Sequence, residues 1–496
     1  MRQLFSLGGF RQSPLLPHAP SGALRKSTRR PHSATRCRFL TLAILLAGTG
    51  MVYPDVTAPV PDNPLAVTAG TARAEALAAW QKAKFGLFLH WGVYSVYGGT
   101  YRGRELWSAE WIQENARIPY EEYAKTAAAW NPRDFDADAW VRTAKDAGMR
   151  YIVITAKHHD GFAIYPSKAS AYNLFASGAY KGPDPLAALK KACAKYGLLF
   201  GIYYSPLEFR GSPKGFDKDD EKAVAAGFDY RTLGPRPYAT DDQITALAKA
   251  QIKELAEWYQ PDILWFDGTW YKMGRWTDDD AHETEKIIRS IVPNAIINNR
   301  LGVKDADFNT YENEIPGSPP VGNWEYCWNM GGFWGYNPRN YTPDLVKNPE
   351  HYIETLARIA SLGGNYLLNV GPDPTGKFHP MATDYLHKIG AWVNPNRAAF
   401  EGVSPSPFAK TPAWGFLTCR PGKVYLIVRT VAASAPVTLP ALKNRLLGAH
   451  LLTAPDTKVA VTTGEREWHV GPVGGQAAGP FVVVALSVEG MPEAGK

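Results

Sequence analysis

From about residue 70 to residue 371 the chain alternates between two kinds of stretch. In one, apolar residues recur every three or four positions, the period of an amphipathic helix. The other is a short, almost wholly apolar run, the pattern of a strand buried on both faces of a parallel sheet. "TARAEALAAWQKAK" precedes the run "FGLFLHW" (85–91), and "PYEEYAKTAAAW" and "DFDADAWVRTAKDAG" precede "YIVITAK" (151–157). "DPLAALKKACAKYG" leads to "LLFGIYYS" (198–205), "DDQITALAKAQIKELAEWY" to "DILWFDG" (262–268), "DDDAHETEKIIRSIV" to "AIINNR" (295–300) and "NPEHYIETLARIASLGG" to "NYLLNVG" (365–371). This predicts six strands, and the irregular 305–330 stretch has room for one or two more.

The polar residues decide between a closed and an open sheet. One run after another ends in them: His90-Trp91, Lys157-His158-His159-Asp160, Tyr203-Tyr204-Ser205, Asp267-Gly268 and Asn298-Asn299-Arg300. A (β/α)8-like barrel gathers all strand C-termini at one mouth, whereas a doubly wound sheet spreads them along an edge. No glycine-rich phosphate loop follows any strand. After "GAWVNPNRAAFEG" long helical patterns stop, prolines cluster at 405, 407 and 412, and short runs follow: "KVYLIVR", "APVTLP", "KVAVTT" and "GPFVVVALSVE". The expected organisation is a leader over 1–52, a linker over 53–71, a (β/α)8-like domain over 72–402 and a C-terminal all-β sandwich over 403–496.

Charge alters this picture only at the N-terminus. The net charge is +7, but residues 1–52 hold eight Lys/Arg and no acid. Removing those eight from 54 leaves 46 basic residues against 47 acidic ones, so nucleic acid is not an expected partner. The apolar run "FLTLAILLAGTGMV" (39–52) behind this basic stretch reads as an export signal, giving a secreted or periplasmic protein. It is shorter than the roughly 20 residues of a membrane span, so no stable anchor is expected. Cys193, Cys327 and Cys419 are far apart and odd in number, which is no disulfide framework.

The histidine pair invites a metal reading, yet adjacent residues of a strand face opposite sides and ligands on one face are spaced H-x-H. His282, His351, His379, His387, His450 and His469 fall away from strand ends, so no metal site is expected. Imidazoles beside Trp and Tyr instead suit a pocket for vicinal hydroxyls, although a lone strand histidine is more often core. Sixteen Trp, among them Trp91, Trp107, Trp111, Trp265, Trp270 and Trp334, supply apolar faces. Asp267, closing "DILWFD", is either a turn cap or a reactive carboxylate. Glu312 and Glu325 in the following stretch offer it a partner, and paired carboxylates about a pocket suit glycoside hydrolysis.

Seven stretches in register, "KFGLFLHWGVYSV", "YIVITAKHHDGFAIYPSKAS", "GIYYSPLEF", "DILWFDG", "NNR", "WEYCWNMGGFWGYN" and "GGNYLLNVGPDPTGKF", resemble the α-L-fucosidases of glycoside hydrolase family 29, from about residue 72 to about residue 400. The resemblance implies a (β/α)8-like catalytic domain, a C-terminal β-sandwich, a fucosylated glycan as substrate, retention through a fucosyl-enzyme, and no cofactor. It makes Asp267 the nucleophile and His90, Glu110, Trp111, His158, His159, Tyr204, Trp265, Arg300 and Trp334 the sugar-binding set, with Asp160 orienting its neighbours. For the acid/base it offers Glu312, with Glu325 as the rival and Glu314 third. One departure is Ile112, where relatives often carry Tyr, an expected difference at the rim near Trp111. Two other classes stand beside this expectation: a secreted carbohydrate-binding protein without catalysis, and a metal-dependent hydrolase on the same barrel.

Overall fold

The computed structural model describes residues 73–106, 108–209, 240–269, 276–473 and 479–495. The expected leader and linker, and Trp107 and Trp270, lie outside the described residues. Eight strands form one parallel sheet: β1 (Phe85–Leu89), β2 (Tyr151–Lys157), β3 (Leu199–Tyr204), β4 (Ile263–Phe266), β5 (Ile296–Ile297), β6 (Asn309–Tyr311), β7 (Trp324–Asn329) and β8 (Asn365–Asn369). Neighbours in space are neighbours in the chain, and β8 returns to pair with β1. β5 and β6 meet through a parallel bridge between Asn298 and Phe308, with Asp307 N–H donating to the Ile297 carbonyl at 2.9 Å. That bridge turns the sheet into a barrel. The 305–330 stretch supplies the two strands, β6 and β7, that its irregular pattern concealed.

The two-residue period of each strand assigns its side chains. Phe88, Tyr151, Val153, Leu199, Tyr203, Ile263, Trp265, Ile296, Cys327 and Leu367 fill the interior, while Leu87, Ile152, Ile154, Phe200, Ile202, Leu264 and Ile297 face the helices. Gly86 is the position that needs its lack of a side chain. A Cβ there would lie 2.4 Å from the Tyr151 ring, which crosses the barrel at that level. The helices begin where capping chemistry allows. Asp184 accepts from Leu186 N–H and Ala187 N–H ahead of Pro185–Tyr196, and Gly197 ends that helix at φ 70°. Thr240 and Gln243 form a capping box on Asp241–Tyr259.

Among the described residues no α-helix lies between β5 and β7. A 3₁₀ turn, Asn299–Leu301, follows β5, and "NEIPGSPPVG" after Glu312 carries three prolines and two glycines. Asp307 reinforces this flank. It accepts from Arg73 Nε at 2.6 Å, from Arg289 Nη2 at 2.8 Å and from Ile297 N–H at 2.8 Å, joining the first helix, the helix after β4, and β5. Asp307→Ala is expected to cost about 2 kcal/mol, read as a fall in Tm of several degrees. An unchanged Tm would show that the bridge closes the ring unaided.

The C-terminal part is a two-sheet sandwich. One sheet holds β9 (Gly415–Arg420), β10 (Lys423–Arg429), β12 (Leu446–Leu451), β13 (Ala454–Lys458) and β16 (Phe481–Val488). The other holds β11 (Val437–Pro440), β14 (Val461–Thr463) and β15 (Glu467–Val470). Alternation again divides the work. Val424, Leu426, Val428, Val482, Val484 and Leu486 face the second sheet, whereas Tyr425, Ile427, Phe481, Val483 and Ala485 join the core that surrounds the barrel. Burial on both faces explains why "FVVVALSV" reads as an unbroken apolar run. The shared core is what a bracing domain requires.

Candidate active site

At the C-terminal mouth of the barrel a cavity of about 430 Å³, counting space that opens to solvent, is lined by Phe88, His90, Trp111, His158, His159, Tyr203, Trp265, Asp267, Arg300, Glu312 and Trp334. Nine of these were expected from sequence, and the strand period explains how they arrive. Trp265 and Asp267 share the inward parity of β4, leaving Phe266 to the helices. In β2 the pairing register shifts between Thr155 and Lys157. Lys157 therefore points outward, over the Tyr204 ring at 4.9 Å, and the strand ends before the histidines. Freed from strand alternation, both His158 and His159 line the cavity.

One guanidinium organises the carboxylates. Arg300 Nη1 donates to Asp267 Oδ1 at 2.8 Å, and Nη2 donates to Glu312 Oε2 at 2.7 Å. Burial opposes its charge, and Asp267 and Glu312 overcome that opposition, so its pKa is raised. The cation lies over the Trp265 ring at 5.1 Å. Tyr203, stacked on Trp265 with centroids 5.4 Å apart, donates its hydroxyl to Asp267 Oδ2 at 3.1 Å. Asp267 thus receives from two donors that favour a carboxylate. Gly268 follows at φ 83°, and a Cβ there would meet Leu207 at 2.6 Å, so glycine lets the chain turn away behind the acid.

The histidines are neutral. Burial lowers His90 to about 3 and His159 to about 4, and it lowers His158 too. His90 Nδ1 lies 2.8 Å from Asn369 Oδ1, and His159 Nδ1 lies 2.6 Å from Ser205 Oγ. His158 Nδ1 is buried with no hydrogen-bond partner among the described residues. Trp111 stands against His159 with ring centroids 5.0 Å apart, and Trp334 stands against His90 at the same separation. Uncharged imidazoles with aromatic walls match vicinal hydroxyls beside an apolar patch. Among the described residues no group of three or more His, Cys, Asp or Glu is arranged to hold a metal ion.

Three expected residues are placed elsewhere. Tyr204 has the outward parity of β3, and its hydroxyl donates to Gln251 Oε1 at 2.8 Å on the helix Asp241–Tyr259. The pocket tyrosine is its neighbour Tyr203. Glu110 is buried behind the wall, accepting from Gly335 N–H at 2.9 Å, and so fixes the turn that carries Trp334. Burial raises its pKa to about 7. Glu325 lies low in the barrel, level with Asn365 in the β7–β8 register. It accepts from Tyr151 Oη at 2.6 Å and Trp265 Nε1 at 2.9 Å, so both oxygens are engaged beneath the cavity. Glu314 is exposed beyond Asn313. Asp160 accepts from Tyr123 Oη at 2.8 Å and Phe162 N–H at 3.1 Å, holding the turn after the histidines as expected. Ile112 is fully buried, so the departure there alters packing and not the rim. Tyr203 and Phe88 went unselected, though each has the inward parity of its strand.

Burial raises Glu325 to about 7, which makes stability depend on pH. A buried carboxyl raised above its ordinary 4.5 favours folding while protonated. That contribution is whole below 4.5 and is lost as pH rises through 7. Glu325→Gln is therefore expected to match the wild type in Tm at acid pH and to exceed it above pH 7. Parallel Tm–pH curves for the two proteins would contradict a buried, proton-bearing Glu325.

Residues 61–398 match the family model described as alpha-L-fucosidase. Tissue alpha-L-fucosidase of Mus musculus is 28% identical over 413 residues, spanning 75% of this chain and 83% of its own. The Homo sapiens enzyme is 27% identical over 411 residues, spanning 75% and 81%. Among solved structures, a family 29 alpha-L-fucosidase from Bacteroides thetaiotaomicron superposes with a TM-score of 0.72 at 28% identity, covering 86% of this chain and 97% of that one. Alpha-L-fucosidase isoenzyme 1 from Paenibacillus thiaminolyticus gives 0.70 at 28%, covering 84% and 100%. With the barrel, the carboxylate pair and the histidine-lined cavity in place, these likenesses converge: the chain belongs to the α-L-fucosidase family of glycoside hydrolases, family 29.

Proposed function

We propose that the protein is a retaining, exo-acting α-L-fucosidase in which Asp267 is the nucleophile and Glu312 the acid/base. The observation that carries this reading is the Arg300 bridge, which holds both carboxylates at one small cavity. Asp267 attacks the anomeric carbon while Glu312 protonates the departing oxygen, and water assisted by Glu312 then releases fucose with its configuration kept. Position separates the acid candidates. Glu312 lines the cavity with a quarter of its side chain exposed, where a leaving group departs and water enters. Glu325 is enclosed beneath Trp265. A relative from Bacteroides thetaiotaomicron was trapped as a covalent intermediate with 2-fluoro-fucosyl fluoride, which supports the same course here. The cavity has Trp265 and Phe88 among its walls and room for one terminal sugar, which favours exo action.

The proposed partner is a fucosylated glycan, met outside the cytoplasm after export directed by residues 1–52. N-terminal sequencing of the mature protein tests the export. Incubation with a nitrophenyl α-L-fucoside, with and without EDTA and beside Asp267→Ala, tests the activity. Release that survives EDTA and disappears in the variant is expected. No release from folded protein would favour a carbohydrate-binding role, and loss with EDTA alone would favour a metal-dependent hydrolase.

A further inference from the structure

His90 reaches the cavity at the end of β1, and its other ring nitrogen faces Asn369, the last residue of β8. Asn369 spans two partners. Its Nδ2 donates to the Trp334 carbonyl at 2.8 Å, and its Oδ1 lies 2.8 Å from His90 Nδ1. A carbonyl oxygen has only lone pairs, so the amide group facing Trp334 must be the NH₂ and the group facing His90 must be the oxygen. An oxygen at that distance requires the proton on Nδ1. A neutral imidazole has a single N–H, so Nε2 keeps a lone pair. Burial holds His90 near 3, which keeps the ring neutral at working pH.

The Trp334 carbonyl is fixed as well. The next residue, Gly335, donates its N–H to Glu110 at 2.9 Å. From the other side, a Cβ on Gly371 would lie 2.9 Å from that same carbonyl oxygen and 2.6 Å from Tyr336 N. The turn and the end of β8 are thus in close approach, and the direction of the carboxamide is set by backbone.

We propose that Asn369 is a positioning residue that locks His90 in its Nδ1–H tautomer, so that Nε2 meets the sugar as an acceptor and the hydroxyl it binds must be free to donate. This rests on the sugar binding in the cavity as proposed above. The pocket then selects against sugars whose hydroxyl at that position is methylated, acylated or replaced by fluorine, through the absence of a donor as well as through bulk.

Aryl α-L-fucosides with the 2-, 3- or 4-hydroxyl replaced singly by hydrogen and by fluorine test the lock, because fluorine accepts weakly and never donates. At each position the ratio of kcat/KM for the fluoro and deoxy substrates is compared between wild type and Asn369→Leu, so that the inductive effect of fluorine cancels. With the carboxamide gone, His90 can carry its proton on Nε2, and the ratio at one position is expected to rise by about tenfold. Equal losses on all substrates with unchanged ratios would reduce Asn369 to a structural residue. The ¹⁵N spectrum of the wild-type histidine side chains, assigned by the signal lost in His90→Gln, reads the tautomer directly even if the leucine variant fails to fold. A proton on Nδ1 is expected, and a proton on Nε2 overturns the proposal. Wild type inactive on every fucoside would sink the sugar reading, while the spectrum would still decide the tautomer.

Discussion

Asp267→Gly is expected to lower turnover of a nitrophenyl α-L-fucoside by about four orders of magnitude or more, and added azide should restore product as β-fucosyl azide. The geometry dictates both halves of this result. Asp267 carries the carboxylate held by Arg300 and Tyr203 inside the cavity, and no other acid among the described residues lines the wall beside it except Glu312. Removing it takes away the proposed nucleophile, the group that would form the bond to the anomeric carbon. Azide can enter the space the carboxylate occupied and attack from the same face, while Glu312 still protonates the departing phenol. One displacement inverts the centre, so an α-fucoside yields a β-azide. Asp267→Asn keeps the volume filled and should not be rescued. Near-normal activity in the glycine variant, or an α-configured azide, would remove Asp267 from the nucleophile's role.

Glu312→Ala is expected to leave the reverse signature. Substrates with poor leaving groups should lose about 10²- to 10⁴-fold, whereas an activated dinitrophenyl fucoside still forms the fucosyl-enzyme and then stalls, giving a burst. Azide now attacks that intermediate, and two displacements return an α-fucosyl azide. The two variants are therefore told apart by the stereochemistry of one product. Glu325→Ala should slow all leaving groups alike, because Glu325 acts through the Trp265 indole on which Arg300 and Tyr203 rest. If the leaving-group dependence appears in Glu325→Ala instead, the acid assignment moves down the barrel.

The barrel was legible because most of its strands are apolar runs closed by polar residues, and the six clearest strands fall where the runs predict. β6 and β7 were harder to see. β6 has three residues, half-buried or exposed, and no helix separates it from β7. At the site, residue identity was legible but direction was not. "YYS" offers two tyrosines, and only the parity shared with Trp265, its partner across β3 and β4, selects Tyr203. Glu325 likewise has the inward parity of a pocket residue. Its height is set by register with Asn365, which no local pattern encodes. His158 and His159 escape the alternation rule because the sheet register slips at Thr155 to Lys157, a long-range feature of strand pairing. Asn369 lies in the stretch "GGNYLLNVGPDPTGKF", but no local pattern gives its contact with His90, which exists only where β1, β8 and the Trp334 turn meet.

The helix-free flank between β5 and β7 sets how this catalyst can diverge. The proposed nucleophile, Asp267, directly follows a strand whose neighbours are backed by helices, so a shift in its backbone would disturb the core. The proposed acid/base, Glu312, stands at the head of a proline- and glycine-rich connection that supports no helix and whose tip carries Val321 at 96% exposure. Insertions or deletions there can reshape the space around the leaving group while bond-making at the sugar stays as it was. Selection can thus vary the glycan this chain accepts separately from the sugar it removes.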